Sequence, residues 1–178
     1  MSLFPVLPYP CHKLLIVALL AVNVIAYGYY GSLANSLDTL AWLLLLVFYE
    51  LQNAITSPII LSAQHQQHIR NVLIVIIIGV FLRYLQVSEW LEVTNDLLWF
   101  ALIALLETEA RWPDKVQQFR RSYWLASVLV FFGLIGVVVA WAWQSAWLDV
   151  YDASLWIIAF GLIDMDIFQL LQRGQPDL

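Results

Sequence analysis

The sequence predicts an all-α integral membrane protein, with six transmembrane helices folded as three repeated two-helix hairpins in a pseudo-threefold bundle. Composition is the first ground. Hydrophobic residues make up 62% of the chain and charged residues 12%, and the mean hydropathy is +0.79, well outside the range of soluble domains. Spacing is the second ground, because apolar runs recur at 14–30, 39–51, 71–82, 97–106, 124–143 and 153–163. With their flanks these become six segments of roughly 17–22 residues, enough to cross a hydrocarbon core of about 30 Å. The third ground is an internal repeat. Asn95, Trp99, Glu107 and Glu109 have counterparts 57 residues earlier at Asp38, Trp42, Glu50 and Gln52, and 57 residues later at Asp152, Trp156, Asp164 and Asp166. The three copies align without a gap, and a fixed period of this kind sets the architecture. The 178 residues therefore read as one membrane domain, 1–178, with repeats at about 12–58, 69–113 and 123–173.

Taken in order, residues 1–11 carry Pro5, Pro8 and Pro10, which favour an extended lead-in. The first helix is expected from about His12 to Tyr30. Lys13 before that run and Ser32-Leu33-Ala34 after it resemble a secretion signal. Cleavage is not expected, because residues 14–30 hold the place that 71–87 and 128–144 hold in the other copies. The second helix follows Asp38 and stops before Pro58, the third spans about 70–87, and the fourth runs from Asn95 to a stop before Pro113. The fifth covers about 123–144 and the sixth ends near Arg173. Asp38, Asn95 and Asp152 read as N-caps, whose side chains accept from the unpaired backbone N–H groups of the next turn.

Lys13, Arg70, Arg111, Lys115, Arg120, Arg121 and Arg173 all lie at the termini or by the two longer connections, while the three hairpin turns are acidic. The positive-inside rule then puts both termini in the cytoplasm, with the chain spanning a plasma (inner) membrane. Arg83 is the exception, expected to snorkel outward or to meet Glu89 or Glu92. Trp42, Trp99 and Trp156, with Tyr27, Tyr84 and Trp141, read as an aromatic belt at the outer headgroup level. Tyr49, Trp112, Tyr123 and Trp124 would form the inner one.

Glu50, Glu107 and Asp164 are the candidate functional residues. Each lies 12 residues past Asp38, Asn95 or Asp152, about 18 Å along its helix. A carboxylate there costs several kcal/mol and faces a bundle interior, a cavity or a partner, and a helix C-terminal half adds unfavourable partial charge. A basic side chain, a proton or a cation should compensate. Only the second copy has an intrahelical partner, Arg111 four residues after Glu107. Gln52, Glu109 and Asp166 are offset by two residues, about 200° around the helix. One set can therefore face a common axis while the other reaches a neighbouring helix or the inner interface, and all six are ion-pathway candidates.

Two readings follow. In one, the three acids ring a common axis and pass protons or cations, as acidic rings and buried carboxylates do, which makes the protein a channel or transporter. In the other, the acids pair with Lys13, Arg70, Arg120 or Arg121 in a structural collar. The protein is then a non-catalytic accessory subunit that docks a membrane partner. No enzyme is expected, since the chain has no phosphate loop and no Ser/His pair. The Asp164-Met165-Asp166 stretch superficially suggests an intramembrane aspartyl enzyme, which needs Asp on two helices, but the partner positions here are Glu50 and Glu107. No cofactor or metal is expected either. Cys11 is the lone cysteine, and His65 and His68 would need two further ligands. A net charge of −5 with no basic patch able to neutralise the phosphates of a nucleic acid excludes that partner.

In layout alone, three hairpins in so short a chain resemble small bacterial membrane proteins of the acid-resistance type. Mitochondrial carriers share the threefold plan with longer units and a Pro-x-acid-x-x-basic motif that this chain lacks. Layout carries no residue across and assigns no function.

Overall fold

A computed structural model describes residues 9–54 and 63–173. All regular structure among them is helical: α1 (Tyr9–Tyr30), α2 (Leu33–Ala54), α3 (Ala63–Val87), α4 (Trp90–Arg111), α5 (Pro113–Gln118), α6 (Arg120–Trp143) and α7 (Trp147–Arg173). The 57-residue step is written into the boundaries. Leu33, Trp90 and Trp147 begin the second helix of each repeat, and Ala54 and Arg111 end it in the first two copies. The expected stop before Pro58 lies outside the described residues.

The repeat also fixes which side of each helix is buried. Leu20, Ile77 and Leu134 are equivalent and all buried, as are Asn23, Val80 and Val137, and then Tyr27, Tyr84 and Trp141. Steps of three and four residues place these on one narrow seam along α1, α3 and α6. On the second helices Thr39, Asp96 and Ala153 are likewise equivalent and buried. The expected outer aromatic belt is therefore corrected. Tyr27, Tyr84, Trp99, Trp141 and Trp156 belong to the buried seams, and the exposed aromatics near the same ends are Tyr29, Tyr30, Trp90, Trp143 and Trp147.

Outside the seams the surface is apolar. Val75 on α3 and Leu129, Phe132 and Val139 on α6 are all exposed. Among the described residues two helices are long and apolar enough to cross a membrane, His65–Val87 and Arg120–Trp143, and Leu15–Tyr30 and Leu33–Phe48 are shorter apolar stretches. Only 22% and 17% of the two long stretches is buried, which is not how the core helix of a water-soluble domain behaves.

The chain forms two compact units. In residues 1–77 with 151–178, α1 packs on α2, and Trp42 of α2 meets Trp156 of α7 edge to face with ring centroids 6.4 Å apart. In residues 78–150, α4 packs on α6 with α5 connecting them. Phe81 of α3 meets Phe100 of α4 at 5.6 Å. Gly133 gives close access to α6, since a Cβ there would come within 2.8 Å of the Leu98 side chain.

The second helices start five residues before the expected caps. Asp38, Asn95 and Asp152 lie inside α2, α4 and α7, and α4 is preceded by Glu89 with no side-chain cap. The hairpin turns explain the early start. At the end of α3 the N–H of Glu89 donates to the Tyr84 carbonyl at 3.1 Å and that of Ser88 to Leu85 at 3.3 Å. At the end of α6 Ala146 donates to Trp141 at 3.0 Å and Ser145 to Ala142 at 3.1 Å. This six-to-one, five-to-two pattern is the Schellman motif. It puts Ser88 at φ 58° and Ser145 at φ 60°, where a side chain is unfavourable. Their equivalent Gly31 closes its turn differently, donating to the Tyr27 carbonyl at 2.9 Å. A Cβ on Gly31 would sit 2.9 Å from that oxygen and 2.7 Å from the Tyr27 ring. The α2 N-terminus is capped by Ser32, whose Oγ accepts from the Asn35 N–H at 3.1 Å.

Ser88→Gly and Ser145→Gly should each raise stability by roughly 0.5–1 kcal/mol, the gain in αL being partly offset by unfolded-chain entropy. Gly31→Ala should lower it. Denaturant unfolding in a mild detergent, followed by circular dichroism, checks all three.

Candidate functional site

Of the six expected pathway residues, the structure describes the side chains of two. Glu50 and Gln52 lie on α2 and Asp164 and Asp166 on α7, but their side chains fall outside the described part. Glu107 is half-exposed and pairs with Arg111 one turn further along α4, as the i,i+4 spacing requires. Glu109 points the other way. Its Oε2 accepts from the Tyr123 hydroxyl of α6 at 2.8 Å, and the same hydroxyl lies 3.1 Å from the Leu105 carbonyl. Both contacts tie the α5 end of the α4–α6 pair together.

His65 and His68 lie on α3, which begins earlier than expected, and both are exposed. Among the described residues no three His, Cys, Asp or Glu side chains converge on a metal site. Arg83 is exposed.

The buried polar residues lie toward the opposite ends of these helices. In the first unit the Asn23 amide of α1 donates to Asp152 Oδ1 of α7 at 2.5 Å. In the second the Trp99 indole N–H donates to Asn95 Oδ1 at 3.2 Å. The Asx residue four positions before Trp99 thus serves the indole and not the helix terminus. It does so from within the helix, where the backbone N–H groups are already paired.

Asp96, beside Asn95, has no such explanation. It is 1% exposed, and its Oδ2 has no hydrogen-bond partner. One turn earlier on the same side of α4 lies Glu92, and the charges acting on this pair are all acidic. Glu92 acts on Asp96, while Asp149 and Glu89 act on Glu92. Trp141 of α6 turns its indole N–H toward Glu92, near enough to favour that carboxylate but without completing a hydrogen bond. A buried carboxylate with acidic neighbours and an unmet oxygen calls for a proton or a cation. The fold does not require it, because the equivalent buried positions hold Thr39 and Ala153.

Sequence reasoning passed over Asp96 and Asn23, and saw in Glu92 only a partner for Arg83. A signal for two of them was present at the repeat period: Asp96 stands where the other copies have Thr39 and Ala153, and Asn23 where they have Val80 and Val137. The chain matches no protein-family model, and no curated protein and no solved structure is detectably similar to it.

Asn23→Val, which copies Val80 and Val137, removes the amide that donates to Asp152 within the seam. It should destabilise the protein by about 1–3 kcal/mol. Asn95→Ala should cost about 1 kcal/mol through the Trp99 indole and shift the tryptophan emission. Denaturant titration read by fluorescence measures both.

Proposed function

We propose that this chain is a small six-span membrane protein that passes protons or cations in a channel- or transporter-like manner, with Asp96 and Glu92 holding the proton or ion in transit. The observation that carries this reading is the Asp96 carboxylate, buried with acidic neighbours at a place where the repeat otherwise has Thr39 and Ala153. Intramembrane acids of this kind mark ion and proton pathways. Among the described residues no third ligand joins the pair, which favours a proton over a divalent ion. The exposed apolar sides of α3 and α6 support the membrane location. The distribution of Lys and Arg supports cytoplasmic termini in a plasma (inner) membrane. In that orientation Asp96 lies about 9 Å from the outer start of α4, and the repeat-related acids Glu50, Glu107 and Asp164 are the sequence's candidates for carrying the ion onward.

A second reading is favoured by the Glu107–Arg111 pair and the Glu109–Tyr123 bond. Here the inner acids form a structural collar, and the protein is a non-catalytic subunit whose apolar flank meets another membrane protein.

Proton and monovalent-cation flux into liposomes separates the two. Wild type should conduct, Asp96→Thr should fall to the level of empty liposomes, and Glu50→Gln/Glu107→Gln/Asp164→Asn should be impaired. Each variant is first checked for unchanged helicity. Silent wild type, or equal flux from wild type and Asp96→Thr, sinks conduction and leaves the accessory-subunit reading.

A further inference from the structure

The connection between α4 and α6 carries more exposed aromatic surface than a solvated link requires. Trp112, Phe119 and Trp124 are all more than half exposed, and they bracket a single short helix that begins at Pro113. Arg111, Lys115, Arg120 and Arg121 lie in the same stretch, four of the eight Lys and Arg residues of a chain whose net charge is −5. Arg111 is engaged by Glu107. Lys115, Arg120 and Arg121 are exposed and form no ion pair among the described residues. Lys115 Nζ lies 5.7 Å from the centre of the Trp112 ring, a cation–π contact that orders the two side chains together. The cluster stands at the start of α6, one of the two long apolar helices.

We infer that this connection is a docking site for anionic phospholipid, with α5 lying in the headgroup layer. Trp112, Phe119 and Trp124 enter the boundary between headgroups and acyl chains, where amphipathic rings are most stable. Lys115, Arg120 and Arg121 bind the lipid phosphates. Three exposed cations are too few to hold a nucleic acid at physiological salt. They suffice for a headgroup, because the membrane holds the ligand at high local concentration. A soluble acidic protein would satisfy the cations and leave the three aromatic faces in water. The inference rests on the membrane reading for its setting but not on proton passage, and resistance of the chain to carbonate extraction from membranes tests that setting separately.

The test is lipid retention by the detergent-purified full chain, read by native mass spectrometry against equal amounts of phosphatidylglycerol and phosphatidylcholine. Wild type should retain phosphatidylglycerol preferentially. Lys115→Gln/Arg120→Gln/Arg121→Gln should weaken that binding about 10- to 100-fold at low salt. The charge-preserving Lys115→Arg/Arg120→Lys/Arg121→Lys should retain it, and Trp112→Ser/Phe119→Ser should lose part of it with every charge in place. Equal retention of the two lipids by wild type would overturn the inference. So would unchanged retention in the Gln variant, or displacement of phosphatidylglycerol by an equal concentration of inorganic phosphate.

Discussion

The narrowness of the buried seam governs the rest of this molecule. On α1, α3 and α6 the buried positions advance by three and four residues, through Leu20, Asn23 and Tyr27 and their equivalents, so each helix covers one side and leaves the others open. Those open sides carry Leu129, Phe132 and Val139 on α6 and Val72, Val75 and Leu82 on α3. Each large apolar side chain left in water forgoes about 1.5–3 kcal/mol of burial. A fold that leaves so many uncovered gains stability when something other than water meets them. The seam also constrains what the turns can be. Because helices at a fixed register must reverse direction within two or three residues, Ser88 and Ser145 are held at positive φ, a conformation that neither side chain favours.

Polar groups inside so thin a core have few neighbours to satisfy them, which gives their arrangement meaning. Asn23 and Asp152 solve part of the problem as a pair from two helices, although the Asn23 Oδ1 stays unmet, and Asn95 accepts from Trp99 on its own helix. Asp96 and Trp141 leave an oxygen and an N–H unmet. An orphaned buried polar atom costs about 1–3 kcal/mol, more for a charged one. An apolar replacement of known fit, Ala153, exists one repeat away. Retaining the carboxylate against that cost is easier to explain by what it binds than by what it stabilises.

Much of this architecture could be read from the residues. The helix starts do recur at the 57-residue step, at Leu33, Trp90 and Trp147, but five residues ahead of the caps expected at Asp38, Asn95 and Asp152. The i,i+4 spacing foretold the Glu107–Arg111 pair, and the 200° offset foretold that Glu109 would reach another helix. Two misreadings share a cause. Asp38, Asn95 and Asp152 have cap chemistry and Trp42, Trp99 and Trp156 have belt chemistry. Composition does not distinguish an Asx that caps a helix from one that accepts an indole N–H within it, nor a Trp at a headgroup from one in a seam. The distinction depends on where the preceding turn ends, and Schellman geometry with Ser in place of Gly leaves little trace in sequence. Asp96 escaped for a different reason. A search for what the three copies share looks past the positions where one copy departs.

That departure is the stronger functional signal in a triplicated chain. At the α5 end Glu107 and Glu109 are both engaged, the first neutralised by a cation and the second held by a hydroxyl. At the hairpin-turn end the balance is reversed, because the charges acting on Glu92 and Asp96 are all negative. Helix dipoles sharpen the contrast. The start of α4 carries partial positive charge and its end partial negative charge, so unpaired acids are tolerated near Trp90 and need partners near Arg111. That field favours Glu92 in the first turn and fades before Asp96, six residues past Trp90, so the cost of burying Asp96 falls on its own surroundings, at a position where the repeat breaks.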